Sequence, residues 1–231
     1  MAAFETRAML PLLLSLNAGY VDTAGFLALQ GLFTAHVTGN FVTLGAALAL
    51  GTSGVIAKLL ALPVFCAVVI AARLLGTLLS NRVVRVFEVL LGVKVLLLIG
   101  GAALAIHFGP FPDGDSWHAI LTGMVLVAAM AIQNAVHRVH LGSAPPSTVM
   151  TGTTTQIMLD VADKIYPRTG EEDSSDSRLV RMSTNLLVFA IGCGAAALSY
   201  SRLGVWCFVV PPVVGMLSLV VRLVGWAKAG P

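Results

Sequence analysis

Charge is what this chain has least of. Lys, Arg, Asp and Glu together make up 11% of its 231 residues, where a soluble domain carries about 25%. That deficit excludes a water-soluble fold of this length. The alternating ten-residue pattern of a membrane β-barrel is also missing. No basic cluster is interleaved with exposed aromatics, so the net charge of +3 does not indicate nucleic acid. Cysteine is scarce as well. Cys66, Cys193 and Cys207 fall in apolar segments and form no CxxC pair, which argues against a disulfide framework or a zinc site. Buried thiols acting as small hydrophobes are the expectation. No other metal or cofactor is indicated. HExxH, GxSxG and a Ser/His/Asp or Cys/His arrangement are all absent, so an enzyme is not expected.

What is abundant is long apolar sequence. Hydrophobic residues make up 57% of the chain and the mean hydropathy is +0.91. Runs near 20 residues recur, each long enough to cross a hydrocarbon core about 30 Å thick. Six read as full spans: 8–30, 56–79, 87–107, 117–138, 183–201 and 204–226. The first is not a signal peptide, because it is long, carries Asn17 and Asp22 and lacks a clear A-x-A site. Two further segments, 33–51 and 146–163, are harder to place. The first is apolar but punctuated by Thr, Gly and Asn; the second, "STVMTGTTTQIMLDVAD", is too polar to face lipid.

Loop charges decide the count. Arg82 and Arg85 follow the second span, and Arg138 follows the fourth. Lys164, Arg168, Arg178 and Arg181 lie in the linker, and Arg222 and Lys228 near the tail. The loop after the third span has Asp113 and Asp115 but no Lys or Arg. Six spans with both termini cytoplasmic put nearly all the basic groups inside, Arg202 excepted. Segment 33–51 must then enter and leave on the outer side, and 146–163 on the inner side. Residues 164–182 read as a solvated cytoplasmic linker.

The two odd segments form a pair. "HVTGNFVTLG" follows span one and "VMTGTTTQIM" follows span four, and their Thr-Gly steps lie about half the chain apart. Each preceding span contains an Asn, Asn17 or Asn134, and two spans follow each segment. Residues 1–110 and 111–231 therefore read as two repeats of three spans within a single membrane domain. An odd number of spans inverts the second repeat. Paired interruptions in such repeats point to a binding site near the midplane. Eight ordinary spans are the rival reading. Thr38 is expected to cap a half-helix through "FVTLGAALAL", with Gly39 allowing a turn or close approach and Asn40 beside it. The helix terminus would hold an anion, a carbonyl oxygen or water. Thr151, Gly152 and Thr153 are expected to do the same in the second repeat. A Thr-Gly packing contact without a ligand is the alternative.

From Ala8 to Ala57, Asp22 is the only formally charged residue. A carboxylate in a span costs about 2.5–3.5 kcal/mol on insertion scales. It is read as a proton or cation site, or as a structural bond to a neighbouring helix. Gln133, Asn134 and His137 share one side of span four. Asp160 is expected to pair with Lys164, and Asn185 to start span five. Arg73 and Lys94 are read as snorkelling to the inner interface, with an anion-attracting vestibule as the alternative.

"NAGYVDTAGFLAL", "GLFTAHVTGNFVTLGAAL" and "STVMTGTTTQIMLDVAD" together resemble the YoaK-like family of bacterial membrane proteins, a domain-of-unknown-function class. Gly19 to Asp22 and Thr38 to Asn40 are the most specific parts. The resemblance implies a six-helix protein of the bacterial inner membrane and no established substrate.

The expected fold is thus an all-α polytopic membrane protein with two inverted three-helix repeats. The expected function is a small transporter or channel, proton-coupled through Asp22, for a small polar or anionic solute. Its expected site comprises Asn17, Asp22, Thr38, Gly39, Asn40, Asn134, Thr151, Gly152 and Thr153. The bilayer is the expected partner, and a homo-oligomer is left open. A membrane scaffold or regulatory subunit, docking a partner through the linker, is the alternative.

Overall fold

The computed structural model describes residues 2–80, 85–148, 150–166 and 175–229. Every regular element among them is helical: α1 (Ala2–Ala28), a 3-10 turn (Val37–Gly39), α2 (Asn40–Leu50), α3 (Val55–Ser80), α4 (Val86–Phe108), α5 (Trp117–His140), α6 (Met150–Ile165), α7 (Ser175–Leu203), a second 3-10 turn (Gly204–Val209) and α8 (Val210–Ala229). Lipid offers backbone groups no hydrogen bonds, so apolar sequence of this kind satisfies them within helices. Local signals mark several ends. Gly51, at φ +66°, ends α2 in the left-handed conformation that spares a side chain. The Ser116 hydroxyl caps α5 by accepting from Ala119 N. Pro211 and Pro212 open α8, where their missing N–H groups are not needed.

Among the described residues, four helical stretches are long and apolar enough to cross a membrane: Val55–Leu79, Val86–Phe108, Trp117–His140 and Asp176–Gly225. The last is α7, the second 3-10 turn and α8 in succession. Large side chains on the outside are apolar, including Leu59, Ile70, Leu74, Leu96, Leu187 and Val213. That surface suits hydrocarbon and not water.

Helix α1 lies at the centre, with Leu14, Ala18, Val21 and Ala24 fully buried. It packs on α7 and α8, as α5 packs on α3 and α4. In the same way α2 packs on α3 and α6 on α7, while α4 meets α8. The closest backbone approach is between α1 and α7. A Cβ on Gly19 would collide with the Phe189 carbonyl oxygen, and one on Gly192 with the Leu16 carbonyl oxygen. Two glycines facing each other let these helices touch backbone to backbone.

One end of the bundle gathers the chain around Gln30, 51–58 and 109–116. Lys58 Nζ donates to Gln30 O at 2.7 Å, and Gln30 Nε2 to Phe111 O at 3.0 Å. Asp115 accepts from the backbone nitrogens of Gly54, Val55 and Ile56, capping α3. The exit of α1 and the entry of α3 are therefore neighbours, and α2 lies between them in sequence. The fifth apolar segment is longer than its composition suggested. Residues 175–182, expected in the linker, are the first turns of α7, and 164–165 end α6. The remainder of that linker, 167–174, lies outside the described residues, as does Arg82.

Candidate functional site

The first interruption lies before the Thr-Gly step and not at it. After α1 the chain turns back through Gln30 (φ 54°) and Gly31 (φ 83°) and runs beside the helix it has just left. This backbone has no helical partners, and Asp22 supplies one. Its Oδ1 accepts from Ala35 N at 2.7 Å, Thr34 N at 2.8 Å and His36 N at 3.4 Å. Its Oδ2 lies 2.7 Å from His36 Nδ1. Asn40 closes the loop from the other side: Oδ1 accepts from Phe33 N, and Nδ2 donates to Phe33 O. A buried carboxylate so bonded compensates its desolvation.

Thr38 is exposed and caps nothing; Gly39 is the N-cap of α2, without a side-chain bond. Asp22 instead bonds the backbone of residues 34–36, ahead of α2, and does not cap that helix. Gly39 lies against the Phe33 ring, where its lack of a side chain makes room.

The second interruption, 141–148, follows α5. Thr148 Oγ1 donates to Asn134 Oδ1 at 2.6 Å, and Asn134 Nδ2 to Met130 O at 3.0 Å. His137 Nε2 lies 3.4 Å from Ala144 O. Thr151 and Gly152 fall in the first turn of α6 and are exposed, while Thr153 is buried. Neither Thr-Gly step is itself the break; each begins or adjoins the short helix that follows one. Asp22 and Asn134 each bond the stretch that follows their own helix, whereas Asn17 bonds neither.

Between the two loops lies a buried polar group of side chains. Ser15 Oγ donates to Asn185 Oδ1 at 2.7 Å, and Asn185 Nδ2 to Pro146 O at 2.9 Å. Gln133 Nε2 donates to Leu14 O at 2.9 Å and Ser147 Oγ at 3.1 Å. Its Oε1 accepts from Lys94 Nζ at 2.5 Å. Asn17 is completely buried, and neither of its amide atoms has a hydrogen-bond partner. An orphaned buried amide is uncommon and asks for an occupant.

Several expectations change here. Lys94 does not snorkel: it is 1% exposed. Arg73 does reach the surface, lining a groove of about 370 Å³ with His140 between α3, α4 and α5. Asn185 does not start a span but lies well inside α7. Asp160 pairs with Arg178, at 2.6 and 2.9 Å, and accepts from Gln156, while Lys164 pairs with Asp176. The Arg178 guanidinium holds the Asp160 carboxyl below the usual carboxylate range. Lys94, Gln133, Ser15, Ser147 and Asn185 were absent from the expected site. Polar residues set in apolar runs were their only signal.

The geometry thus comprises two loops from opposite ends of the bundle, held to α1 and α5 by Asp22 and Asn134, with an unsatisfied amide between them. The family described as a protein of unknown function, DUF1275, matches residues 10–221. The UPF0700 transmembrane protein YoaK of Bacillus subtilis (strain 168) is 30% identical over 208 residues, covering 86% of this chain and 86% of that relative. No solved structure matches. A helical bundle with lipid-suited faces and a family match over nearly its whole length make this chain a multi-pass membrane protein that belongs to the DUF1275, or YoaK-like, family.

Proposed function

We propose that the protein is a small transporter or channel of the inner membrane, built from six passes in two inverted repeats. The solute path runs between the two interrupted segments, and the solute is small and polar or anionic. The interchange of packing partners supports the repeat. Exchanging α1 with α5, α2 with α6, α3 with α7 and α4 with α8 turns each principal packing pair into another pair that is present. The shared end formed by Gln30 and Lys58 supports a segment that enters and leaves on one side. Irregular backbone at membrane depth is tolerated where protein covers it or a cavity lies beside it. Arg85, Arg138, Arg178 and Arg222 cluster toward the opposite end, which supports cytoplasmic termini.

The observation that carries the reading is Asn17, an unpartnered amide buried between two loop tips that approach from opposite ends. His36, one-third exposed, contacts the buried Asp22 carboxylate at 2.7 Å, which links that carboxylate to the outer mouth of the path.

Flux into proteoliposomes tests this. The wild type is expected to move at least one of a panel of cations, anions and neutral polar solutes faster than empty liposomes. Asn17→Ala is expected to slow that flux at least tenfold. No flux above background for folded, reconstituted protein would reject the reading. Unchanged flux in Asn17→Ala would remove the path from between the loops.

A further inference from the structure

We infer that Lys94, Gln133 and Asn17 form a binding site for a small monovalent anion in the core of the bundle; the inference deepens the transport reading and takes its purpose from it.

Lys94 sits two turns into α4, about 12 Å from the start of that helix. It is among the largest of the fully buried side chains. Its neighbours one turn away on α4, Leu91 and Leu98, are each 1% exposed. An ammonium has three N–H donors, and the one hydrogen bond it makes goes to Gln133 Oε1. Among the described residues, Lys164 pairs with Asp176, Arg178 with Asp160 and Arg222 with Glu88, and the His36 ring contacts Asp22. None provides Lys94 with a carboxylate. A cation deprived of both water and counter-charge is costly, and a bound anion removes that cost.

Asn17 lies one turn from Leu14, whose carbonyl accepts from Gln133. Its Nδ2 is 3.7 Å from the point where a Cβ of Gly215 would stand. That point is also 3.3 Å from Val95 Cγ2 and 3.2 Å from Leu98 Cδ1. The orphan amide therefore borders the stretch of α4 that carries Lys94. One cationic charge, one spare amide donor and apolar walls select a compact monovalent anion such as a halide, nitrate or formate. Ser147, bonded to Gln133, ties the site to the loop preceding α6, so movement of that loop uncovers it.

The test is thermal unfolding of the full chain in nanodiscs, with gluconate as the starting anion and chloride, nitrate or formate titrated in. At least one of the three is expected to raise the melting temperature saturably. Lys94→Met is expected to lose that response and Lys94→Arg to keep it. Gln133→Glu supplies a built-in carboxylate and is expected to lose the response while melting higher in gluconate. Asn17→Ala is expected to raise the half-saturating concentration at least tenfold. If none of the three anions stabilises the wild type, or Lys94→Met and Gln133→Glu respond as it does, the inference is overturned. Saturable binding without flux would overturn the transport reading alone. Flux of a cation or neutral solute without any anion response would overturn this inference alone.

Discussion

Asp22 and Asn134 hold matching positions. Each lies about one and a half turns from the C-terminal end of a helix, α1 or α5, and each bonds the stretch that precedes the next short helix. Asp22 makes several charge-assisted bonds to backbone, whereas Asn134 accepts one hydroxyl. Asp22 is therefore the stronger single anchor, while the second loop shares its hold among Asn134, Gln133, His137 and Asn185.

Replacing Asp22 is expected to test that hierarchy. Asp22→Ala leaves the Thr34 and Ala35 N–H groups buried without an acceptor and is expected to cost about 3 kcal/mol or more. Asp22→Asn keeps Oδ1 as an acceptor and is expected to cost less. Denaturation of the two variants in detergent measures the order. Equal losses would mean that charge, and not acceptance, holds the loop.

Asn134→Ala removes the acceptor of Thr148 Oγ1 and is expected to cost about 1 kcal/mol. Thr148→Val should cost a similar amount, and the double variant little more, because both remove one bond. Additive losses would place their roles apart.

Gly19→Ala and Gly192→Ala each drive a methyl group into a carbonyl of the facing helix. Each is expected to force α1 from α7 and to abolish a monodisperse folded species. Gly194→Ala, whose Cβ would meet nothing within 4 Å, is expected to be neutral. Size-exclusion profiles compare the three.

Asp160 makes stability depend on acid. Its carboxyl is held down in the folded state by Arg178, so the folded form binds its proton less readily than the unfolded form. The stability this contributes is complete above the ordinary carboxylate value, near 4. It is lost as pH falls below that and through the depressed folded value. Arg178→Gln is expected to flatten this part of the stability profile. The effect should be modest, because the Arg178 side chain is half exposed. An unchanged slope would mean that Asp160 is not the group titrating.

The membrane character, the apolar helices and the two unusual segments were legible in the chain because each is a local property. Asn17 and Asp22 stood out because polar groups are rare in apolar runs. Their partners did not, because Ser15 and Asn185 are 170 residues apart and Lys94 and Gln133 are 39 apart. The Thr-Gly steps drew attention as weak helix formers, yet the breaks lie just ahead of them. Gln30 and Gly31, with positive φ, turn the first loop.

Lys94 shows where the boundary between sequence and structure falls. Composition determined that its segment crosses apolar surroundings, since 23 residues of α4 carry little else. It did not determine which way the helix is turned. In water, an amphipathic pattern separates the buried face from the exposed one. In lipid both faces are apolar, so that pattern fades and the rotation of α4 is set by its packing against α5 and α8. Only the tertiary structure could therefore place Lys94 against Gln133 and not at the membrane surface.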